Sequence, residues 1–157
     1  MSLRVSAMAN EQPQPDDDLS VLMILADAAQ VADGKLSVLG GGIAVVPPTP
    51  QPMALALVVT VPWSRADETI PWVCELLTPE GMPVMAGDVP VLVNGQVAAG
   101  RPEGWPQTQP LNVPVVISFN GLPLEPGQSF VWRLAIDGAS DERWTVRFSV
   151  APDLLTA

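Results

Sequence analysis

The sequence predicts an all-β fold, an antiparallel β-sandwich of seven to nine strands. Three observations predict it. Apolar residues alternate with a period of two in one segment after another, which is how half-buried strands read. The segments recur roughly every ten residues between Gly and Pro turns, the spacing of sandwiches and barrels. And 18 Pro and 12 Gly in 157 residues punctuate the chain too often for long helices. A closed barrel is the alternative closure.

Residues 1–18 are polar, contain Pro and end in Asp16-Asp17-Asp18, so they read as a disordered arm. Residues 19–151 form a single domain, and 152–157 a tail beginning at Pro152. Residues 19–26 are continuously apolar, which suits a central strand; Ala28, Ala29 and Ala32 raise a helical alternative for 19–32. Asp33-Gly34 is a turn signal and residues 35–39 a returning strand. Gly40-Gly41-Gly42 permits a bulge or the close approach of another backbone. No Lys-Ser/Thr follows it and Pro47-Pro48 comes soon after, so a phosphate-binding loop is a poor reading. Residues 45–53 are a Pro-rich crossing segment. Leu55, Leu57, Val59 and Val61 mark a strand apolar on both faces.

Ile70, Trp72, Cys74 and Leu76 form the next strand, with Pro71 near its start or on an edge. A Pro-punctuated pair follows at 84–85 and 89–93. Residues 100–110 carry no apolar pattern and make the longest structureless stretch. Leu111, Val113, Val115, Ile117 and Phe119 alternate again. The organising element comes last. Phe130, Trp132, Leu134 and Ile136 share one face of one arm, and Trp144, Val146, Phe148 and Val150 share one face of the other. Asp137-Gly138 turns between them, because both residues tolerate positive φ. Greek-key connections of immunoglobulin or C2 type fit this order of strands, without the cysteine pair of a true immunoglobulin domain.

Two segments together resemble a known family. The first is Leu25-Ala26-Asp27-Ala28-Ala29-Gln30-Val31-Ala32-Asp33-Gly34-Lys35-Leu36, continuing to Val38-Leu39-Gly40-Gly41-Gly42. The second is Pro126-Gly127, Phe130, Arg133 and Ile136-Asp137-Gly138. The pairing resembles DUF6941, a bacterial family catalogued as a domain of unknown function, over residues 19–150. Phe130 and Trp132 stand where the family's usual aromatic is Tyr. The resemblance implies a sandwich fold and transfers no activity, catalytic residue or cofactor. An Ala-, Val- and Pro-rich, Lys-poor composition suits a high-GC bacterium.

Composition narrows the function classes. A formal charge of −10 with no basic cluster repels phosphate backbones and anionic lipid surfaces, so neither nucleic acid nor membrane is expected as a partner. With no His, a His-based triad, base or metal ligand is excluded. Cys74 is the single Cys, on the apolar face of its strand, and reads as structural. Nothing calls for an oxidising compartment, no apolar run reaches bilayer-spanning length, and the acidic run before residue 19 is the wrong sign for a signal peptide. A soluble, cytoplasmic protein is expected.

Asp27 and Asp33 flank a short turn, with Asp88 and Asp137 near other strand ends, and calcium gathers loop oxygens in this way in C2-type sandwiches. Their spacing matches no calcium loop, and turn formation explains each at lower cost. Asp27 and Asp33 are therefore only weak metal candidates, and no metal or cofactor is expected. Glu75, Glu80, Glu103 and Glu125 could pair as glycosidase carboxylates only at a separation that sequence does not define. Arg101 and Trp105, in the long loop, are residue types enriched at binding hot spots and are weak partner-binding candidates. The plainer reading tucks Trp105 onto the domain and pairs Arg101 with an acid.

No enzyme is expected. The leading expectation is a non-catalytic interaction or oligomerisation module that binds a protein partner or itself. Residues 19–26 and 54–61 are apolar on both faces, more than a two-layer sandwich needs, so a homo-oligomer is expected. The alternative is a structural component of a phage-like or other assembly. A calcium-dependent ligand-binding sandwich and an unrecognised enzyme rank below these.

Overall fold

The computed structural model describes residues 18–153; all but the last residue of the expected N-terminal arm, and most of the expected tail, lie outside them. Twelve strands run in order: β1 Ser20–Ala26, β2 Ala28–Ala32, β3 Lys35–Leu39, β4 Val45–Val46, β5 Met53–Val61, β6 Ile70–Leu77, β7 Met85–Ala86, β8 Val89–Pro90, β9 Leu92–Val97, β10 Leu111–Phe119, β11 Ser129–Ile136 and β12 Ala139–Val150. Among the described residues there is no α-helix. One 3-10 turn, Trp63–Arg65, follows β5. Residues 20–26 and 28–32 are strand, so pairing with β5 and β3 overrides the helical propensity of the alanines.

Two larger sheets share one core. The first has the order β1-β5-β10, and the second β4-β12-β11-β6-β9. β2-β3 and β7-β8 are separate hairpins, and no sheet closes on itself. The alternation read from the sequence sets the inner faces. Leu55, Leu57 and Val59 of β5 meet Phe130, Trp132 and Leu134 of β11 and Cys74 and Leu76 of β6 in a single cluster. Phe119 of the first sheet stacks on Trp132 of the second, with ring centroids 4.3 Å apart. Each of these side chains would add about 1.5–3 kcal/mol by leaving water.

Three expectations need correction. The described residues hold twelve strands, not seven to nine, because 19–32 breaks in two at Asp27, 89–93 breaks at Val91, and β4 is too short to show a period. The antiparallel pattern is not complete, because β4 runs parallel to β12 beside Ser149 and Val150. The Pro-rich crossing segment, expected as loop, thus lends two residues to a sheet edge before Pro47-Pro48 ends the pairing. The closing hairpin, expected to alternate without interruption, carries a bulge. Arg133 pairs with Thr145 and Ala135 with Ser140, so Leu134 alone faces residues 141–144. The cause is local. The Asp141 carboxylate accepts the backbone N–H of Arg143 at 2.8 Å and so competes with the ladder. The turn itself is as expected, with Asp137 and Gly138 at φ 53° and 78°, the two left-handed residues of a type I′ hairpin.

The Gly40–Gly42 run is explained by crowding. A Cβ at Gly41 would stand 2.9 Å from Val38 and 3.2 Å from Ile24, and one at Gly40 would overlap the Asp27 carboxyl. The glycines let the root of the β2-β3 hairpin fold back against the first sheet. Gly42 and Ile43 both donate to the Leu25 carbonyl, at 2.9 and 3.1 Å, and hold that root in place. The hairpin then lies over β5 and β10. The sheet positions on that outer side include Ala54 and Ala56, which are buried though they point away from the core. Small side chains there admit a third layer.

Candidate functional site

An outward strand position normally carries a polar or charged side chain. The first sheet departs from this. β1, β5 and β10 contain no Asp, Glu, Lys or Arg in a chain of charge −10. Strand register shows which residues point out: Leu22 lies beside Val58, and Val58 beside Pro114, with Ile24, Ala56 and Val116 in the next row. The β2-β3 hairpin covers the alanine end and leaves the Leu22 end open. Leu22 is 58% exposed. Within the hairpin, Leu39 is 71% exposed, and Val31 and Val38 are also exposed. The outer side of the first sheet is thus free of charge, whereas the hairpin beside it carries exposed Asp33 and Lys35, and register puts Leu39 on the opposite side of the hairpin from Val31 and Val38.

The second sheet's outer side is different. Glu75 of β6 and Arg133 of β11 pair across the strands, and Arg147 of β12 lies beside Val131. A smaller apolar group sits on the β7-β8 excursion, where Met82, Met85 and Val89 are exposed along a segment that also carries Glu80 and Asp88.

At the end of the molecule where β5 finishes, arginines collect. Arg65 bonds Glu68 at 2.8 Å and Asp137 at 3.0 Å, tying the segment after β5 to the hairpin turn. Arg101 pairs with Asp67 at 3.0 Å, donates to the Trp63 carbonyl at 3.2 Å and lies 5.4 Å from the Trp63 ring centroid. Arg143 pairs with Asp141 at 2.8 Å. Hydrogen bonds from the Arg143 side chain, then from its backbone N–H, hold the Asp141 carboxyl down at about 2. An open cleft of about 560 Å³ lies here, lined in part by Ser20, Thr60, Trp63, Thr108 and Arg143.

The residues singled out by sequence fall as follows. Arg101 makes the acid pairing of the plainer reading, but Trp105 does not tuck in and stays 40% exposed. Asp27 and Asp33 sit at opposite ends of β2, about 15 Å or more apart for a five-residue strand. They cannot share one ion. No group of three or more His, Cys, Asp or Glu among the described residues could hold a metal. Asp33 and Asp137 both have positive φ and serve turns. Glu75 is engaged by Arg133. The Gly40–Gly42 run serves packing.

Cys74 is wholly buried. Burial, then the neighbouring Glu75 charge, pushes its thiol up to about 12 from 9.0. An unfolded chain releases that proton near pH 9, whereas the folded chain keeps it to about 12. Folding stability contributed by this group is therefore complete below pH 9 and falls as pH rises from 9 to 12. The stability of the wild type relative to Cys74→Ala, measured by urea unfolding at pH 8 and pH 11, is expected to shrink at the higher pH. A constant difference would refute the assignment.

Sequence reasoning passed over Leu22, Leu39 and Arg143 as individual residues. The signal for Leu22 was present in the two-faced apolarity of residues 19–26. The bulge that carries Arg143 leaves no mark in the alternation.

The model of a family of unknown function, DUF6941, matches residues 21–149. The chain belongs to the DUF6941 family. The match runs from the second residue of β1 to the penultimate residue of β12, so the DUF6941 region holds both large sheets, both hairpins and the arginine end. The segments that carry the resemblance in this DUF6941 member build the β2-β3 hairpin with its glycine root and the closing β11-β12 hairpin. A comparison with curated proteins found no match.

Proposed function

We propose that this DUF6941 protein is a non-catalytic interaction module that associates with itself, and that its two larger sheets form a sandwich of the immunoglobulin or C2 type. The observation that carries the proposal is where the large exposed apolar side chains lie. Leu22 is exposed on the outer side of the uncharged first sheet, and Val31, Val38 and Leu39 are exposed on the hairpin that packs over it, beyond what a solitary acidic domain needs for its own core. Groups that might do chemistry are engaged otherwise: Cys74 is buried and protonated, and Glu75 is ion-paired. A cytoplasmic location agrees with a single buried thiol. No helix of the described residues is long and apolar enough to cross a membrane.

Light scattering coupled to size-exclusion chromatography tests the reading. A mass that is a multiple of 16.6 kDa is expected at micromolar concentration, unchanged when calcium is replaced by chelator. A clean monomer refutes self-association. A mass that changes with chelator would shift the reading to calcium-linked assembly.

A further inference from the structure

We infer that the cleft at the arginine end binds a neutral polyhydroxyl ligand, of the chemical class of a short oligosaccharide; this is independent of the self-association reading. Four observations lead there.

The first is the floor. At this end of the first sheet the outward row is Ser20, Thr60 and Asn112, side by side in register. All three are uncharged and hydrogen-bond through a hydroxyl or an amide. Thr60 donates to the Asn112 Oδ1 atom at 2.9 Å, which orients both groups. Ser20 and Thr60 line the cleft directly. One row further along, the sheet turns apolar with Leu22 and Val58. A sugar ring has the same two aspects, hydroxyls around its rim and C–H groups on its faces.

The second is the walls. Trp63 lines the cleft, and its ring is held. The Arg101 guanidinium stands over it, 5.4 Å from the centroid, and donates to the Trp63 carbonyl at 3.2 Å. A fixed aromatic ring gives C–H faces a flat apolar surface to lie on. Gln107 and Thr108 add an amide and a hydroxyl. They occupy the two middle positions of a turn, closed by the Gln109 N–H donating to the Pro106 carbonyl at 3.0 Å. The long loop is thus shaped by a turn where it meets the cleft.

The third is charge. Arg143 is the cation of the cleft lining, and Asp141 accepts from its Nε at 3.0 Å and its Nη2 at 2.8 Å. The bulge sets this pair in place, because Asp141 also accepts the Arg143 backbone N–H. Such a pair offers charge-assisted donors and acceptors with no net charge. Asp18 stands on the lining as well, in a chain of charge −10. A phosphate or carboxylate ligand would meet no uncompensated cation among these residues.

The fourth is size. A volume of about 560 Å³ lies within the range of about 300–1,000 Å³ typical of small-molecule sites. The cleft is open along its length, so it accommodates part of a longer chain as readily as a short one.

The test is isothermal titration calorimetry on the full chain with maltotriose, cellotriose and triacetylchitotriose. One of these is expected to bind with a Kd of about 1 mM or tighter, equally well at low salt and in about 0.5 M sodium chloride. Thr108→Ala and Arg143→Met, each checked for an unchanged far-UV spectrum, are expected to weaken that binding about tenfold, as the loss of a hydrogen bond or two would. Glu80→Ala, beyond the far end of β6, should leave it unchanged. If Arg143→Met fails to fold, Thr108→Ala still decides, since Thr108 is an exposed loop residue. The inference is overturned if none of the three saccharides binds at about 10 mM, or if the folded variants bind as tightly as the wild type. Displacement of the saccharide by inorganic phosphate would also overturn it, because the site would then be one for anions.

Discussion

Replacing Trp132 with alanine is expected to lower the unfolding free energy by about 3–5 kcal/mol. Trp132 has no exposed surface and is the largest of the fully buried side chains. It sits on β11, the middle strand of the second sheet, and stacks on Phe119 of β10 in the first, with the rings inclined by 22°. The pair is thus a direct bridge between the sheets, and alanine would leave a cavity that neither sheet can close alone. Against a total stability of about 5–15 kcal/mol, such a loss is a large share. Trp132→Phe should cost clearly less. It keeps the stack, and the indole N–H it removes has no acceptor among the described residues. Urea unfolding followed by circular dichroism gives both values. An alanine variant within about 1 kcal/mol of the wild type would show that the two sheets do not depend on this contact.

What sequence could and could not reveal follows from the range of the interactions involved. Strand positions were legible because alternation is local: Phe130 to Ile136 declares its inner face without reference to any partner. Both I′ turns were legible for the same reason, Asp-Gly being the dipeptide that tolerates two left-handed residues. The parallel pairing of β4 with β12 was not, because two residues ahead of Pro47-Pro48 carry no period. Nor was the bulge at 141–144. It depends on the Asp141 side chain winning the Arg143 amide from the ladder, a contest that alternation does not record. The apolar face was legible in part. Sequence showed that residues 19–26 and 54–61 were apolar on both sides. It could not show that Ala54 and Ala56 would be covered by the hairpin while Leu22 stayed open, since that depends on how the chain folds back at Gly40–Gly42. Arg101 and Trp105 were picked out by residue type, and their fates diverged because Asp67 and Trp63, distant from them in sequence, are in reach of the guanidinium alone.

Gly95 supplies the other large expected effect, and here two forces oppose each other. On strand propensity alone, Gly95→Ala or Gly95→Val in β9 should stabilise, by up to about 1 kcal/mol for the branched residue. Gly95 lies directly opposite Trp72 of β6, however, and the indole occupies the space a side chain would need. A Cβ there would overlap the ring, standing 2.8 Å from its Cε2 atom. Trp72 is nearly buried and packed in the core cluster, so the ring has little freedom to retreat. The strand must move instead, and β9, paired only with β6, is the strand able to do so. Overpacking of this kind costs about 1–3 kcal/mol, which exceeds the propensity gain. Both substitutions should therefore destabilise, valine more than alanine, with the fastest gain in amide exchange along β6 and β9. A double-mutant cycle isolates the cause: with Trp72→Leu in place, Gly95→Ala should become neutral or stabilising, a coupling that additive effects cannot produce. If Gly95→Ala is as stable as the wild type while Trp72 is intact, the indole does not hold this position and the glycine is there for some other reason.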